Sequence, residues 1–342
     1  MTLHDQIVEE IKFNEVISFS RFMELALYHP SLGFYATGGA GRRKDFITSP
    51  ETGPLFGKLV SKALDKWWHE LGTPEPFYFI EVGAGTGTLA KSILRSKPSC
   101  LEALHYIAVE INAFQRSQHP EEIESLAQLP DSIGVGVIFA NELLDNLPFD
   151  IYQSGSAGDW QQVCIGQSKG SLHEVLVESD TYLTEEFGIA QKSGIRIPDQ
   201  VEARHWLAQA LRSIEVGRIV AIDYALESFP SPENHQWLRT YRRHGHGENP
   251  LIEPGAQDIT TDVDISQLGQ VRTPDSIQSQ HAWLTSLGIS GLVEEGKQIW
   301  FDNAANPDVE ALAARSRTTE AQALLDLKGL GGFQVIEWGL SP

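Results

Sequence analysis

Phe77-Tyr78-Phe79-Ile80-Glu81-Val82-Gly83-Ala84-Gly85-Thr86-Gly87-Thr88-Leu89 is the stretch that decides how this chain reads. Phe77 to Glu81 is a short apolar run, as a parallel strand buried on both faces should be. Thr88 to Arg95 carries a helical pattern. Between them, Gly83, Gly85 and Gly87 let the backbone turn sharply and let a ligand approach without Cβ clashes. The helix that follows presents free N–H groups. A glycine turn alone is weak, since any tight strand-to-helix connection can use one, with or without a ligand. Its surroundings sharpen it. Glu81 ends the first strand, and Val109-Glu110 ends the next, 23 residues beyond Gly87. An acid at that second tip can accept both hydroxyls of an adenosine ribose.

Dinucleotide-binding and methyltransferase sheets share this layout, so spacing has to choose between them. The dinucleotide fingerprint asks for G-x-G-x-x-G/A, whereas here Gly87 is followed by Thr88. No basic residue stands out near the turn for a pyrophosphate, and zwitterionic S-adenosylmethionine (SAM) needs none. Glu81, placed before the glycines, suits a ligand carrying an amino group and a sulfonium. The balance favours a methyl donor over NAD.

Working outward, strands alternate with helices. His105 to Glu110 and Gly134 to Ala140 are further strands, which argues for βαβ units and a parallel sheet. Between 111 and 133 the pattern does not separate a short strand near Ile123–Leu126 from a helix. Before the turn, Leu3, Ile7, Val8 and Ile11 share a helical face, and Phe22, Leu25 and Ala26 a second. Pro54 opens an amphipathic helix that Gly72 stops. After Pro148, Asp150–Gln153, Trp160–Ile165 and Ser171–Val177 read as an antiparallel meander. Residues 199–216 read as a helix with Val201, His205, Leu207, Ala208 and Leu211 near one face, and Arg218–Tyr224 as a strand. Helices near 275–287 and 308–327 precede a last strand, Phe333–Trp338. The expected organisation is an N-terminal helical segment, 1–74, and a Rossmann-like core, 75–342, with insertions at about 150–195 and 228–275.

Composition sets bounds. The net charge of −20 repels a phosphate backbone, so nucleic acid is not the expected partner. Two cysteines, Cys100 and Cys164, exclude a disulfide framework and a cysteine-based zinc cluster. No apolar run reaches the roughly 18 residues that span a bilayer. The acidic opening residues do not resemble a signal or transit peptide. A cytoplasmic protein is the expectation, a mitochondrial matrix or other organelle being the alternative if a transit segment has been removed. Oligomeric state stays open, a homodimer included. Arg242-Arg243-His244-Gly245-His246 lacks a carboxylate at fixed spacing and reads as a loop, so no metal site is expected.

A third strand tip carries Ala140-Asn141-Glu142-Leu143-Leu144-Asp145-Asn146-Leu147-Pro148. Ligands of doubly wound sheets sit outside the carboxyl ends of strands near the switch point, which puts Asn141, Glu142 and Asp145 at the reacting group. The plainer alternative makes Asn141 or Asp145 a helix cap. Taken with Lys44-Asp45-Phe46-Ile47-Thr48-Ser49-Pro50-Glu51, Phe56-Gly57, the Glu81–Leu89 turn and Val109-Glu110-Ile111-Asn112, this segment resembles the MidA-type SAM-dependent methyltransferases, a family that includes the mitochondrial complex I assembly factor. Weaker echoes follow at Ile222-Asp223-Tyr224, Leu238–Arg242 and Gln257–Asp264, so the likeness runs from about residue 15 to 340. Ala84 stands where the family usually has Pro, Ala225 where it has Gly, and Arg42-Arg43-Lys44 where a glycine commonly precedes the Asp-Phe pair.

The resemblance implies an α/β, class I methyltransferase fold: a doubly wound, mainly parallel sheet with an N-terminal helical segment and inserted β and loop elements. It implies SAM as donor and an arginine-containing protein segment as substrate, within a respiratory complex or another partner. Thr48, Ser49, Pro50 and Glu51 are expected over the donor site, with Glu81, Gly83, Gly85, Gly87 and Glu110 binding the donor. An arginine acceptor is always protonated in water. Carboxylates must hold it and localise its charge, and Glu142 and Asp145 are the best-placed candidates, with Asn141 positioning acceptor or methyl. Two alternatives stand beside this one. The chain could be a non-catalytic assembly protein that keeps the fold, or a nicotinamide-dependent oxidoreductase, which Thr88 disfavours.

Overall fold

A computed structural model describes residues 1–36, 48–179, 192–227, 237–242 and 245–341. The basic loop 42–44 and most of the glycine-rich stretch before it lie outside the described residues, as do Arg243 and His244. By contact density the chain forms two compact units interleaved in sequence. One takes Met1–Phe46, Asp145–Trp206 and Leu226–Val271, and the other Ile47–Leu144, Leu207–Ala225 and Arg272–Pro342.

The second unit holds the turn. Its seven-stranded sheet runs, edge to edge, Ser276–Ser279, Gln334–Leu340, Ile214–Asp223, Ile133–Asn141, Phe77–Val82, Leu104–Val109 and Glu124–Leu126. Gln334–Leu340 is antiparallel to both of its neighbours, and the remaining pairs are parallel. Phe77–Val82 sits centrally, with Val82 registered against Val109 on one side and Ala140 on the other. The strand order reverses there, so the three expected site tips end side by side. This is the doubly wound, mainly parallel sheet that the alternation implied. The segment left open between 111 and 133 resolves into a short helix, Ala113–Arg116, and the edge strand Glu124–Leu126.

One face of the sheet packs Phe77, Phe79, Val137, Phe139, Val220, Ile222 and Val335 against helices Pro54–Glu70, Thr88–Ser96, Gln280–Ser286, Ile289–Asn303 and Val309–Leu325. Pro54–Glu70 forms where Leu55, Phe56, Leu59, Val60, Ala63, Leu64 and Trp67 recur at helical spacing and are all buried. Gly53 precedes it with φ of 153°, and there the Glu320 carboxylate accepts the Leu55 N–H at 2.8 Å, satisfying one orphan donor of the helix end. A Cβ on Gly53 would collide with that carboxylate.

Three readings of this unit and its connecting helix change. Ser276–Ser279 is an edge strand, so the helix expected from 275 begins at Gln280. Ile289–Asn303 is a helix that the periodicity did not reveal, since Leu292 and Gly296 are buried on one side while Phe301 is exposed. In Val201–Ser213 the buried face is Ala203, Leu207 and Ala210, and His205 is exposed.

In the first unit, helices Leu3–Asn14 and Phe19–Tyr28 bury Leu3, Ile7, Ile11, Phe19, Phe22 and Leu25 with Phe149, Ile151, Val163 and Ile165. Thr2 and Asp5 form a capping box at the first helix. The expected meander is present as Asp150–Ser154, Trp160–Ser168 and Ser171–Glu178, antiparallel in sequence, with Arg196–Asp199 on the far side. Within 228–275 the described parts include strands Leu238–Arg242 and Asp258–Thr261, paired antiparallel. No helix among the described residues is long and apolar enough to cross a membrane.

Candidate active site

The glycine turn has the backbone that only glycine adopts freely: φ is 74° at Gly83, 54° at Gly85 and 74° at Gly87. Four of its amides are used within the protein. Gly83 and Ala84 N–H donate to the Val109 carbonyl at 2.9 and 3.1 Å, and Gly87 N–H to Ala84 O at 2.9 Å. Gly85 N–H donates to Glu110 Oε2 at 3.0 Å, and Asn112 N–H to Glu110 Oε1 at 2.8 Å. Burial raises the Glu110 carboxyl above its ordinary value, with these amide bonds opposing. Glu110 therefore ties the turn to the neighbouring strand tip while keeping lone pairs for a further donor.

Glu81 is buried, and its Oε2 accepts the Tyr106 hydroxyl at 2.5 Å. Burial, with the Glu110 charge adding, pushes its carboxyl up to about 8, against the Tyr106 bond. Two residues that the pattern did not single out hold the turn from outside. His119 Nε2 lies 2.9 Å from Gly85 O, and Lys91 Nζ donates to Thr86 O at 2.7 Å. Lys91 is a cation at the turn that the sequence reading passed over.

The Thr48–Glu51 segment joins the turn to the third tip. Ser49–Glu51 is a single 3-10 turn in which Thr48 makes no side-chain cap. Glu51 Oε1 accepts the Thr88 hydroxyl at 2.8 Å, where the helix leaves the glycines. Ser49, fully buried, donates its N–H to Glu142 Oε1 at 3.0 Å and its hydroxyl to Gln280 Oε1 at 3.1 Å. Asn141 Nδ2 donates to the same Glu142 oxygen at 2.9 Å. Asn141, Glu142, Ser49 and Gln280 thus form one hydrogen-bonded chain.

Glu142 has φ of 54°, an uncommon backbone for a non-glycine residue and one concentrated at functional sites. Its N–H donates to Ile222 O at 2.8 Å. Burial, with the Asp223 charge adding, pushes its carboxyl up to about 8, while the Ser49 and Asn141 bonds pull the other way. Asp223 fixes the bend: Oδ2 accepts Leu143 and Leu144 N–H at 3.1 and 2.8 Å, and Oδ1 accepts Tyr224 N–H at 2.9 Å. Asp145 is buried and opens a segment of the other unit, where burial raises the Tyr241 hydroxyl and Asp262 raises the Arg239 guanidinium against its desolvation, the Asp145 charge adding to each.

The structure therefore gathers Thr48, Ser49, Pro50, Glu51, Gly83, Gly85, Gly87, Glu110, Asn141 and Glu142 at one end of one sheet, with Glu81 beneath them against Tyr106. Gln280, Asp223, Tyr106 and His119 belong to the same assembly. Of these, Asp223 lay in a segment that resembles the family, whereas Gln280, 231 positions from Ser49, carried no local signal.

Known proteins resemble this chain in sequence and fold. The sequence pattern of the Methyltransf_28 family, S-adenosyl-L-methionine-dependent methyltransferases, matches residues 59–282. The mitochondrial protein arginine methyltransferase NDUFAF7 homolog of Drosophila melanogaster is 27% identical over 304 residues, covering 77% of this chain and 68% of that protein. The human mitochondrial protein arginine methyltransferase NDUFAF7 is 25% identical over 328 residues, covering 83% and 72%. A COG1565 superfamily member from Burkholderia thailandensis, crystallised with S-adenosyl-homocysteine, superposes with a TM-score of 0.86 at 24% identity over 99% of this chain and 92% of that one. A native crystal structure of a COG1565 superfamily protein from the same organism gives 0.80 at 25%.

These relatives correct one expectation. The charge pattern of the opening residues pointed to the cytoplasm, but the curated relatives are mitochondrial proteins. Surface charge reports on solubility and association, and does not set a compartment.

The residues suit SAM. A Cβ on Gly85 would meet nothing within 4 Å, so the turn leaves room beside its backbone, and Glu110 stands at its edge with acceptor capacity. With the Gly83, Ala84, Gly85 and Gly87 amides committed internally, the turn presents acceptors beside the space it leaves. The chain belongs to the Methyltransf_28 family of SAM-dependent methyltransferases.

Proposed function

We propose that this protein methylates an arginine side chain in a protein partner, with a subunit of a respiratory-type complex as the first class to test. The observation that carries the reading is Glu142: a half-buried carboxyl on a strained backbone at the central strand tips, pushed up to about 8. The arginine acceptor follows the curated relatives, whose names give that activity.

SAM supplies an electrophilic methyl group on a sulfonium. In the proposed reaction a carbon–nitrogen bond forms as the carbon–sulfur bond breaks, and the acceptor nitrogen releases one proton. That proton needs a base. A carboxyl poised near neutrality is a better proton acceptor than an ordinary one, and an arriving guanidinium favours its ionised form. Glu142 takes this role, held by Ser49 N–H and Asn141 Nδ2 on one oxygen so that the other serves the acceptor. Glu110 accepts the ribose hydroxyls, the Gly83–Gly87 turn gives the donor room, and Glu51 with Ser49 closes over it. Glu81, raised to about 8 and accepting the Tyr106 hydroxyl, lies beneath the turn and is left without a charge role toward the donor. The acceptor assignment rests on Glu142; Asp145 lies in the other unit.

The test is mass spectrometry of the proteome of a deletion strain, searched for lost arginine methylation. Purified protein with isotope-labelled SAM should then restore the mark in lysate. An unchanged arginine methylome, with no label transferred to protein, refutes the reading.

A further inference from the structure

The donor carries a carboxylate, and that group needs hydrogen-bond donors. The turn offers few, because the N–H groups of Gly83, Ala84, Gly85 and Gly87 are all committed within the protein. The acids Glu51, Glu81, Glu110, Glu142 and Asp223 bring acceptors, and Lys91 already donates to Thr86 O. Among the described residues of this unit, three buried side-chain atoms lack a partner: Asn141 Oδ1, Arg218 Nε and Gln280 Nε2. Arg218 sits mid-strand in Ile214–Asp223, away from the strand tips, and its guanidinium pairs with Glu70 and Glu337. Gln280 is fully buried, with Oε1 accepting the Ser49 hydroxyl and Nε2 unused. An unmade bond at a buried amide is costly, and a native chain that tolerates one usually has a use for it.

Sheet order places the amide at the right end of the ligand. Glu110 and Glu142 stand at the tips of the two strands flanking Phe77–Val82, two strand spacings apart, roughly 10 Å. A donor lying across the turn with its ribose over Glu110 brings its amino-acid end to the Glu142 side. Gln280 reaches that side through Ser49.

We propose that the Gln280 side-chain amide binds the carboxylate of SAM, donating from Nε2 while Oε1 holds Ser49. The assignment rests on the donor-site reading above. Because Gln280 is fully buried in the ligand-free chain, the Ser49–Glu51 turn yields as the carboxylate enters, which couples donor binding to the segment that carries Glu142's partner.

Calorimetry on the full chain tests it with two ligands, S-adenosyl-homocysteine and its decarboxylated analogue. Gln280→Glu keeps the acceptor for Ser49 and replaces the N–H donor; it should weaken S-adenosyl-homocysteine roughly tenfold or more and leave the analogue unchanged. Gln280→Leu answers the same question if glutamate is not tolerated. Equal loss for both ligands, or no loss for either, overturns the assignment. Glu110→Ala is the control, since it should weaken both ligands. Wild-type affinity for both in that variant would overturn the donor-site reading itself, and the Gln280 assignment with it.

Discussion

Glu142→Gln separates the chemical role of the strand-tip acid from a merely structural one. In the folded chain burial pushes this carboxyl up to about 8 from its ordinary 4.5, and in the unfolded chain it titrates near the ordinary value. The native state therefore keeps a proton that the unfolded state has released across that window. The resulting stabilisation is full below about pH 4.5 and is lost as pH rises through about 8. One such group gives a slope of at most about 1.4 kcal/mol per pH unit, and partial solvent access at the tip reduces it. Between about pH 5 and 8 the wild type should thus lose roughly 2–4 kcal/mol on account of Glu142. Glu81, raised to about 8 in the same direction, adds its own share. Glutamine keeps an oxygen for Ser49 N–H and Asn141 Nδ2 but cannot titrate. Urea unfolding at about pH 5, 7 and 9 should show a flatter decline in the variant, with Glu81's share remaining. Methyl transfer should fall to background while S-adenosyl-homocysteine affinity is kept. Superimposable pH dependences in the two proteins would refute the raised-carboxyl argument, and full turnover would remove Glu142 from the chemistry.

Glu110→Ala should weaken S-adenosyl-homocysteine by at least about tenfold in calorimetry, since a charge-assisted bond contributes about 1.5–3 kcal/mol; unchanged affinity would move the ribose elsewhere. Gly85→Val should abolish donor binding in a chain that still folds. Its Cβ meets no protein atom within 4 Å, and the strain at φ of 54° costs about 1–2 kcal/mol, visible as a lowered Tm. Retained donor affinity in the folded variant would displace the ligand from the turn. Glu320→Ala should destabilise the chain by about 1–3 kcal/mol, because Leu55 N–H loses its acceptor at the start of helix Pro54–Glu70, and thermal unfolding reads this directly. An unchanged Tm would mean that the helix end is satisfied otherwise.

Local chemistry determined much of this protein in advance. Glycines at 83, 85 and 87 have few other uses between a strand and a helix, and Glu81, Glu110 and Glu142 each follow an apolar run whose end is legible from periodicity. Strand, turn and helix are short-range events, so their residues announce them, and Glu110 follows at the tip of the next strand. The tertiary structure decided what these acids do. Sequence put Glu81 toward the ligand's amino group, but its carboxyl lies against Tyr106, because strands Phe77–Val82 and Leu104–Val109 pair in the register that sets Glu81 beside Ala108. The edge strand Ser276–Ser279 and the helix Ile289–Asn303 exist through packing, which overrides weak local propensity. The chain from Asn141 through Glu142 and Ser49 to Gln280 joins residues up to 231 positions apart. No spacing rule reaches that far: side chains so distant in sequence meet only when a sheet's strand order brings their tips together, and burial there is what raises a carboxyl toward neutrality.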